Sequence, residues 1–501
     1  MPDRSTYIAA AVSIAAVTGA LVYFHSRSEL LQYGDAEAHL SIARRLTDSR
    51  TPGYEQIGTV WLPLPHWIMA LPAQWDRAWQ SGLAGAIPAA ICHVAAALFL
   101  FAAARRIFDS SPAAWAALGL FLLNPNSLYL GVIPMTEPFF AAAFGALLWS
   151  TAAGRPVIAG IAACAATLIR YEGWFLLPFF SLAFLVRNGI RPAALFAAIA
   201  ATGPVYWLAH NRWLDLDPLL FYRGPYSAKA IQGRDPYPGL HDWPQAWLYF
   251  RTAAVLIAGR PLAWLGACGA LVCIARRQSI VALSALPALF YVISLHSAGT
   301  PIYVPTLWPN TYYNARYGFA AMPLLVLGAA ALAAILPRRL QTFAAAAVLL
   351  GCMAAWIGSA PEQWIALKEP QVNSAPRREY TLHAAAFLRD HYRSGGILTG
   401  FGDLAGIFRE SGIPLREAIH EGNGIDWLAQ TLRPERFLRA EWVLARAGDP
   451  VDRAIVSLRD SAHNGPRYRL VKSIQAPRAP EIRIYRREGS AMRPPESPYN
   501  R

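Results

Sequence analysis

Apolar stretches long enough to cross a bilayer recur along most of this chain, and no motif limits its fold as strongly. A spanning helix needs about 20 mostly apolar residues. Such runs occur near residues 6–24, 86–104, 113–130, 137–153, 157–170, 174–187, 192–209, 252–275, 279–296, 317–336 and 341–359, so about eleven transmembrane helices are expected. Only 15% of the 501 residues are charged and 55% are hydrophobic, whereas soluble domains run near about 25% and 45–50%. That balance excludes a water-soluble enzyme and a disordered chain. The first run lacks a small-residue cleavage site and reads as a signal anchor.

Arginine placement orients the expected helices. Arg105 and Arg106, Arg155, Arg187 and Arg191, Arg276 and Arg277, and Arg338 and Arg339 mark every second loop, which the positive-inside rule makes cytoplasmic. The N-terminus is then cytoplasmic, and everything after about residue 360 lies outside. Asp35, Glu37, Glu55, Glu137, Glu172, Asp215, Asp217, Asp235 and Asp242 fall on that outer side, which suggests a site at one membrane face. A proton or ion pathway would instead place carboxylates at mid-membrane depth. The net charge of +14 comes with no nucleic-acid motif; it suits membrane lipids and other anionic lipid headgroups. Cys92, Cys164, Cys268, Cys273 and Cys352 all lie in apolar runs with no Cys-x-x-Cys pair, so they read as packing residues.

Residues 1–360 thus form a membrane domain, with residues 25–85 as its first outer loop. Residues 361–489 change character. Arg378–Arg393 reads as a helix, Ile397–Phe401 as a strand and Asp403–Arg409 as a helix, with further strands at Ala440–Leu444, Tyr468–Val471 and Ile482–Tyr485. This is a small α/β domain. The Pro-rich end, 490–501, reads as disordered.

The first outer loop carries Tyr33-Gly-Asp-Ala-Glu-Ala-His39, Ile42-Ala-Arg-Arg45, Thr51-Pro-Gly53 and Gly58-Thr-Val-Trp-Leu-Pro-Leu-Pro-His66. A helix over Ala36–Thr47 puts Asp35, His39 and Ile42 on one face. Asp35 is then either the cap of that helix or a general base near the bilayer surface. Asp35, Glu37, His39 and His66 also offer metal ligands, although Glu37 points away from the Asp35–His39 face. Trp61, Trp67, Trp75 and Trp79 read as an interfacial stretch or as a platform under a lipid or sugar.

The loop resembles the first periplasmic loop of the GT-C glycosyltransferases, close to bacterial members related to glycosyltransferase family 39. That group includes protein O-mannosyltransferases and aminoarabinose transferases. Three further segments carry the resemblance: Met135-Thr-Glu-Pro138, Arg170-Tyr-Glu-Gly-Trp174 and Tyr313-Asn-Ala-Arg-Tyr-Gly318. The resemblance implies a GT-C-like helical membrane fold with a small α/β domain on the periplasmic side of the inner membrane. It implies inverting transfer of a sugar from a polyprenyl phosphate to a lipid, glycan or protein acceptor. Asp35 and Glu137 are then the catalytic residues, and Arg316, Arg170 and Lys229 line the donor phosphate. Glu37, His39, Glu172 and Tyr313 contact substrate. Arg170 has the alternative of pairing with Glu172 or Glu137, and Lys229 of lying on a solvated loop surface. No required metal or other cofactor is implied, with a divalent ion left open. The competing readings are a lipid-linked sugar flippase, which predicts internal symmetry and mid-membrane charge, and a catalytically degenerate GT-C scaffold.

Overall fold

The computed structural model describes residues 3–233, 235–297, 299–359, 363–460 and 465–489. The expected disorder of 490–501 lies outside them. The chain divides into two compact units. Unit 1 comprises Met1–Leu31, Thr59–Ile68 and Gly85–Val372; unit 2 comprises Gln32–Gly58, Met69–Ala84 and Asn373–Arg501.

Unit 1 is helical. Among the described residues, six helices are long and apolar enough to cross a membrane, or seven if one bent pair counts as a single span. The expected eleven are not seen as full-length spans. The runs at 137–153, 157–170 and 174–187 form helices of 16, 12 and 17 residues, short of the length a bilayer asks for. The run at 113–130 breaks into Ser111–Leu122 and Pro125–Gly131. Asn124 stands at that break, its side chain accepting from Ser127 N at 2.9 Å to cap the second piece.

The run at 252–275 departs further from a simple span. It forms the helices Trp243–Ala258 and Arg260–Ala275, bent by 114°. Gly259 makes the turn at φ +82°, in the left-handed region that glycine tolerates, and Pro261 starts the next helix. A break strands carbonyls that an apolar environment cannot solvate. Here other helices serve them. Asn124 Nδ2 donates to Ile257 O and Ala258 O at 3.0 and 3.2 Å. Asn126 Nδ2 donates to Leu256 O and Ile257 O at 3.3 and 3.0 Å, and Trp356 Nε1 donates to Ala258 O at 3.0 Å.

Unit 2 is an α/β domain around a five-stranded sheet: β1 (Ile397–Thr399), β2 (Ala418–Ile419), β3 (Trp442–Arg446), β4 (Tyr468–Ile474) and β5 (Ile482–Arg487). The spatial order is β2-β1-β3-β5-β4. β1 is parallel to both β2 and β3, with Ile397 opposite Ala418 and Trp442; β5 runs antiparallel to β3 and β4. Parallel neighbours need crossovers, supplied by the helix Ala405–Ser411 and by the helices Ile425–Leu432 and Pro434–Phe437. Leu398, Ile419, Val443, Val451, Ile455 and Tyr485 fill the core on one face. The helix expected at Arg378–Arg393 begins earlier, at Ile365, and runs to His391. Pro370 and Pro376 made its first turns look interrupted.

Unit 2 also takes in most of the first loop. The helix there is Gly34–Arg45, buried along Ala36, Glu37, His39 and Leu40. Arg44 ties it to the following segment, pairing with Asp48 at 2.9 Å and Asp76 at 2.7 Å and donating to Ala73 O and Gln74 O. Asp48 in turn accepts from Leu415 N, Arg416 N and Arg416 Nη1 at 3.2–3.3 Å.

Candidate functional site

In unit 1, three segments far apart in sequence bring ionisable side chains together. Glu137 opens the helix Glu137–Ala152, where a carboxylate favours the positive end of the helix dipole. Arg170 and Glu172 flank the start of Glu172–Asn188. Arg316 lies on the short 3-10 helix Ala315–Ala321. Gly318 lets that helix seat against the neighbouring one: a Cβ there would lie 2.4 Å from the Ala253 carbonyl carbon.

Arg170 is the hub. Its Nη1 is 3.1 Å from Glu137 Oε1 and donates to Thr136 Oγ1 at 2.5 Å; its Nε pairs with Glu172 Oε1 at 2.6 Å. It also donates to the Tyr291 hydroxyl, which donates to Glu172 Oε1 at 2.5 Å. Arg316 stands 3.4 Å from Glu137 and 3.5 Å from Glu369. Both guanidinium carbons lie over the Tyr317 ring, at 5.5 Å for Arg170 and 5.1 Å for Arg316. Tyr291 stacks on Tyr317 at 4.6 Å.

Sequence reasoning missed Glu369, which it placed beyond the membrane domain. Its carboxylate accepts from Asn314 N at 2.9 Å and Ala315 N at 2.7 Å, capping the 3-10 helix and fixing Arg316 beside it. Tyr317 stood in the quoted segment; nothing local marked Tyr291. The cluster holds three carboxylates against two guanidiniums, all buried or nearly so. Glu137 is the least satisfied: both its oxygens are buried without a hydrogen bond of good geometry, despite the two arginines beside them. It opens on a cavity of about 20 Å3 lined also by Phe140, Tyr291 and Phe319, room for one water. Chemically, the cluster holds two buried guanidiniums neutralised by carboxylates, one of which, Glu137, lacks a well-formed hydrogen bond.

The other expected residues lie elsewhere. Lys229 is exposed on Ala228–Gln232, its Nζ 5.7 Å above the Tyr222 ring, and it does not line the cavity. Tyr313 forms a two-residue antiparallel bridge with Tyr303. Asp35, Glu37 and His39 belong to unit 2, whereas His66 belongs to unit 1 and is fully buried.

Asp35 is not a helix cap: Tyr33 occupies that position and Asp35 is the second residue of the helix, partly buried. Glu37 is buried in an ion pair with Arg409 Nε at 2.9 Å, with Arg377 Nη1 at 3.7 Å. Burial works against the Arg409 charge, but Glu37 and Glu410 more than offset it and hold its pKa above the ordinary arginine value. At the other end of the helix, Arg45 lies over one face of Phe401 at 5.4 Å, and His420 stacks on the same ring at 3.9 Å. Burial, with the Arg45 charge adding to it, pulls the His420 imidazole down to about 2, so the ring stays neutral; its Nδ1 accepts from Gly422 N. Among the described residues, no group of three or more His, Cys, Asp or Glu is placed to hold a metal ion.

No family model and no curated protein matches the chain. Among solved structures, it is similar to the Archaeoglobus fulgidus oligosaccharyltransferase complexed with zinc and sulfate. That match has a TM-score of 0.45 and 12% identity, and covers 86% of this chain and 68% of the other.

Proposed function

We propose that this chain is an inverting glycosyltransferase of the GT-C type. It moves a sugar from a polyprenyl phosphate to a lipid, glycan or protein acceptor at the periplasmic face of the inner membrane. One observation carries the reading: Glu137, Arg170 and Arg316, picked from three separate sequence segments, meet in one buried cluster of unit 1. The orientation proposed with it is the one the arginine-marked loops suggest, with the N-terminus in the cytoplasm and the α/β domain outside.

In this reading the acceptor hydroxyl gives its proton to the Asp35 carboxylate while its oxygen attacks the anomeric carbon. The bond from that carbon to the phosphate oxygen breaks on the opposite side, and polyprenyl phosphate leaves with the electron pair. No covalent glycosyl-enzyme intermediate is needed. Charge grows on the leaving phosphate, and the planar forks of Arg316 and Arg170 are suited to it. Glu137 keeps both guanidiniums preset until the phosphate arrives. Glu172, His39 and Tyr313 are the substrate contacts, and Glu37 acts by holding the helix that carries Asp35.

The test compares lipids from cells with the chain, without it, and with Asp35→Asn. Loss of the chain should accumulate a polyprenyl-monophosphate sugar and leave one acceptor short of a residue, and Asp35→Asn should reproduce both while remaining inserted. Wild-type turnover in Asp35→Asn would remove the base assignment. Accumulation confined to the cytoplasmic leaflet would favour a flippase, and unchanged lipids would overturn the transferase reading.

A further inference from the structure

The helix Ile425–Leu432 in unit 2 is amphipathic the wrong way round. A surface helix normally buries its apolar stripe and presents its polar face to water. Here the buried positions are Gln430 and Thr431, with Trp427 partly buried against the sheet core. Their polar groups are satisfied inside: Gln430 Nε2 donates to Asp426, Gln430 Oε1 accepts from Arg439 N, and Thr431 Oγ1 donates to Trp427 O. The outward stripe is Ile425, Leu428 and Leu432, at i, i+3 and i+7, exposed by 84%, 46% and 72%. Phe437 on the next helix is exposed as well. An exposed apolar stripe of this kind marks a contact surface.

The charges beside it narrow the contact. Arg433, Arg436 and Arg439 are exposed at three-residue spacing, and none has an ion-pair partner among the described residues. The nearby acids are Asp426, which lies 4.0 Å from Arg50, and the half-buried Glu435. Outward leucine and isoleucine next to unpaired arginines is the pattern of a helix that sinks into the headgroup region of an anionic bilayer. Unit 1 carries apolar helices long enough to hold the chain at a membrane.

We infer that the Ile425–Leu432 face, with Phe437 and Arg433, Arg436 and Arg439, is a docking surface for anionic lipid headgroups. The inference does not depend on the transferase reading, since it concerns a face remote in sequence from every residue assigned to sugar transfer. The test uses the full chain in nanodiscs of phosphatidylcholine alone or with phosphatidylglycerol, read by amide hydrogen exchange. Exchange over 425–432 should slow by about fivefold or more in the anionic discs. Leu428→Glu with Leu432→Glu should abolish that protection, and Arg433→Gln with Arg436→Gln, or added salt, should narrow the lipid difference. Unchanged exchange in β1 and β3 shows that these surface variants are folded. Equal exchange in both lipids would overturn the inference, as would protection that appears in detergent and grows with protein concentration, which would assign the face to a second copy.

Discussion

Arg409→Met tests how firmly the first-loop helix is fixed within unit 2. Glu37 and Arg409 meet at 2.9 Å with side chains only 9% and 11% exposed, so solvent screens them little. Removing one member of a buried pair costs about 3–5 kcal/mol, because the other charge is left behind. Arg377 at 3.7 Å still partly compensates Glu37, which puts Arg409→Met at the low end, about 3 kcal/mol. Glu37→Met should cost about 2 kcal/mol, since Arg409 retains Glu410 at 2.8 Å and Gln80 O at 2.6 Å. The double variant strands no charge from the pair, so it should cost about 3 rather than about 5 kcal/mol, a coupling of about 2. Native-state amide exchange at Leu398 and Val443, in the parallel core of unit 2, reads these opening energies. Additive effects, or single substitutions below about 1 kcal/mol, would refute the buried-pair reasoning.

Two further outcomes follow from the geometry. Asn124→Ala with Asn126→Ala leaves Leu256 O and Ile257 O without side-chain donors at the bend, and should lower the stability of unit 1 by about 3–5 kcal/mol; an unchanged unfolding midpoint in detergent would contradict this. His420 is held near 2 against an ordinary 6.5, so between those values the unfolded chain binds the extra proton. The stabilisation is therefore complete above about 6.5 and lost as pH falls, at up to about 1.4 kcal/mol per unit; exchange near β2 at pH 7 and pH 5 should show it, and His420→Asn should flatten it.

Hydropathy and loop charge marked the helical stretches of unit 1, and short motifs picked Glu137, Arg170, Glu172 and Arg316 of its buried cluster. Two other members of that cluster, Glu369 and Tyr291, gave no signal. Glu369 is read only through the backbone it caps, more than fifty residues away in sequence. Averaging over an apolar run likewise cannot register a single left-handed residue, so Gly259 hid the bend inside what looked like one span. β2 has two residues, too few for an alternation pattern. The membership of Gln32–Gly58 in unit 2 rests on pairs such as Asp48 with Leu415, which are 367 residues apart and invisible to any local period. The helix Ile425–Leu432 misleads in the opposite sense, because its apolar positions predict an inward face that the structure turns outward.

The bend at Gly259 also carries an order of events. Asn124 and Asn126 emerge from the ribosome more than a hundred residues before the carbonyls they serve, so both donors are already made when Trp243–Ala258 is synthesised. Trp356 arrives about a hundred residues afterwards and closes the last bond to Ala258 O. Synthesis from N- to C-terminus thus never presents the lipid with a wholly unserved break, whereas a permuted chain beginning after Gly131 would have to insert the bend first and find its asparagines last.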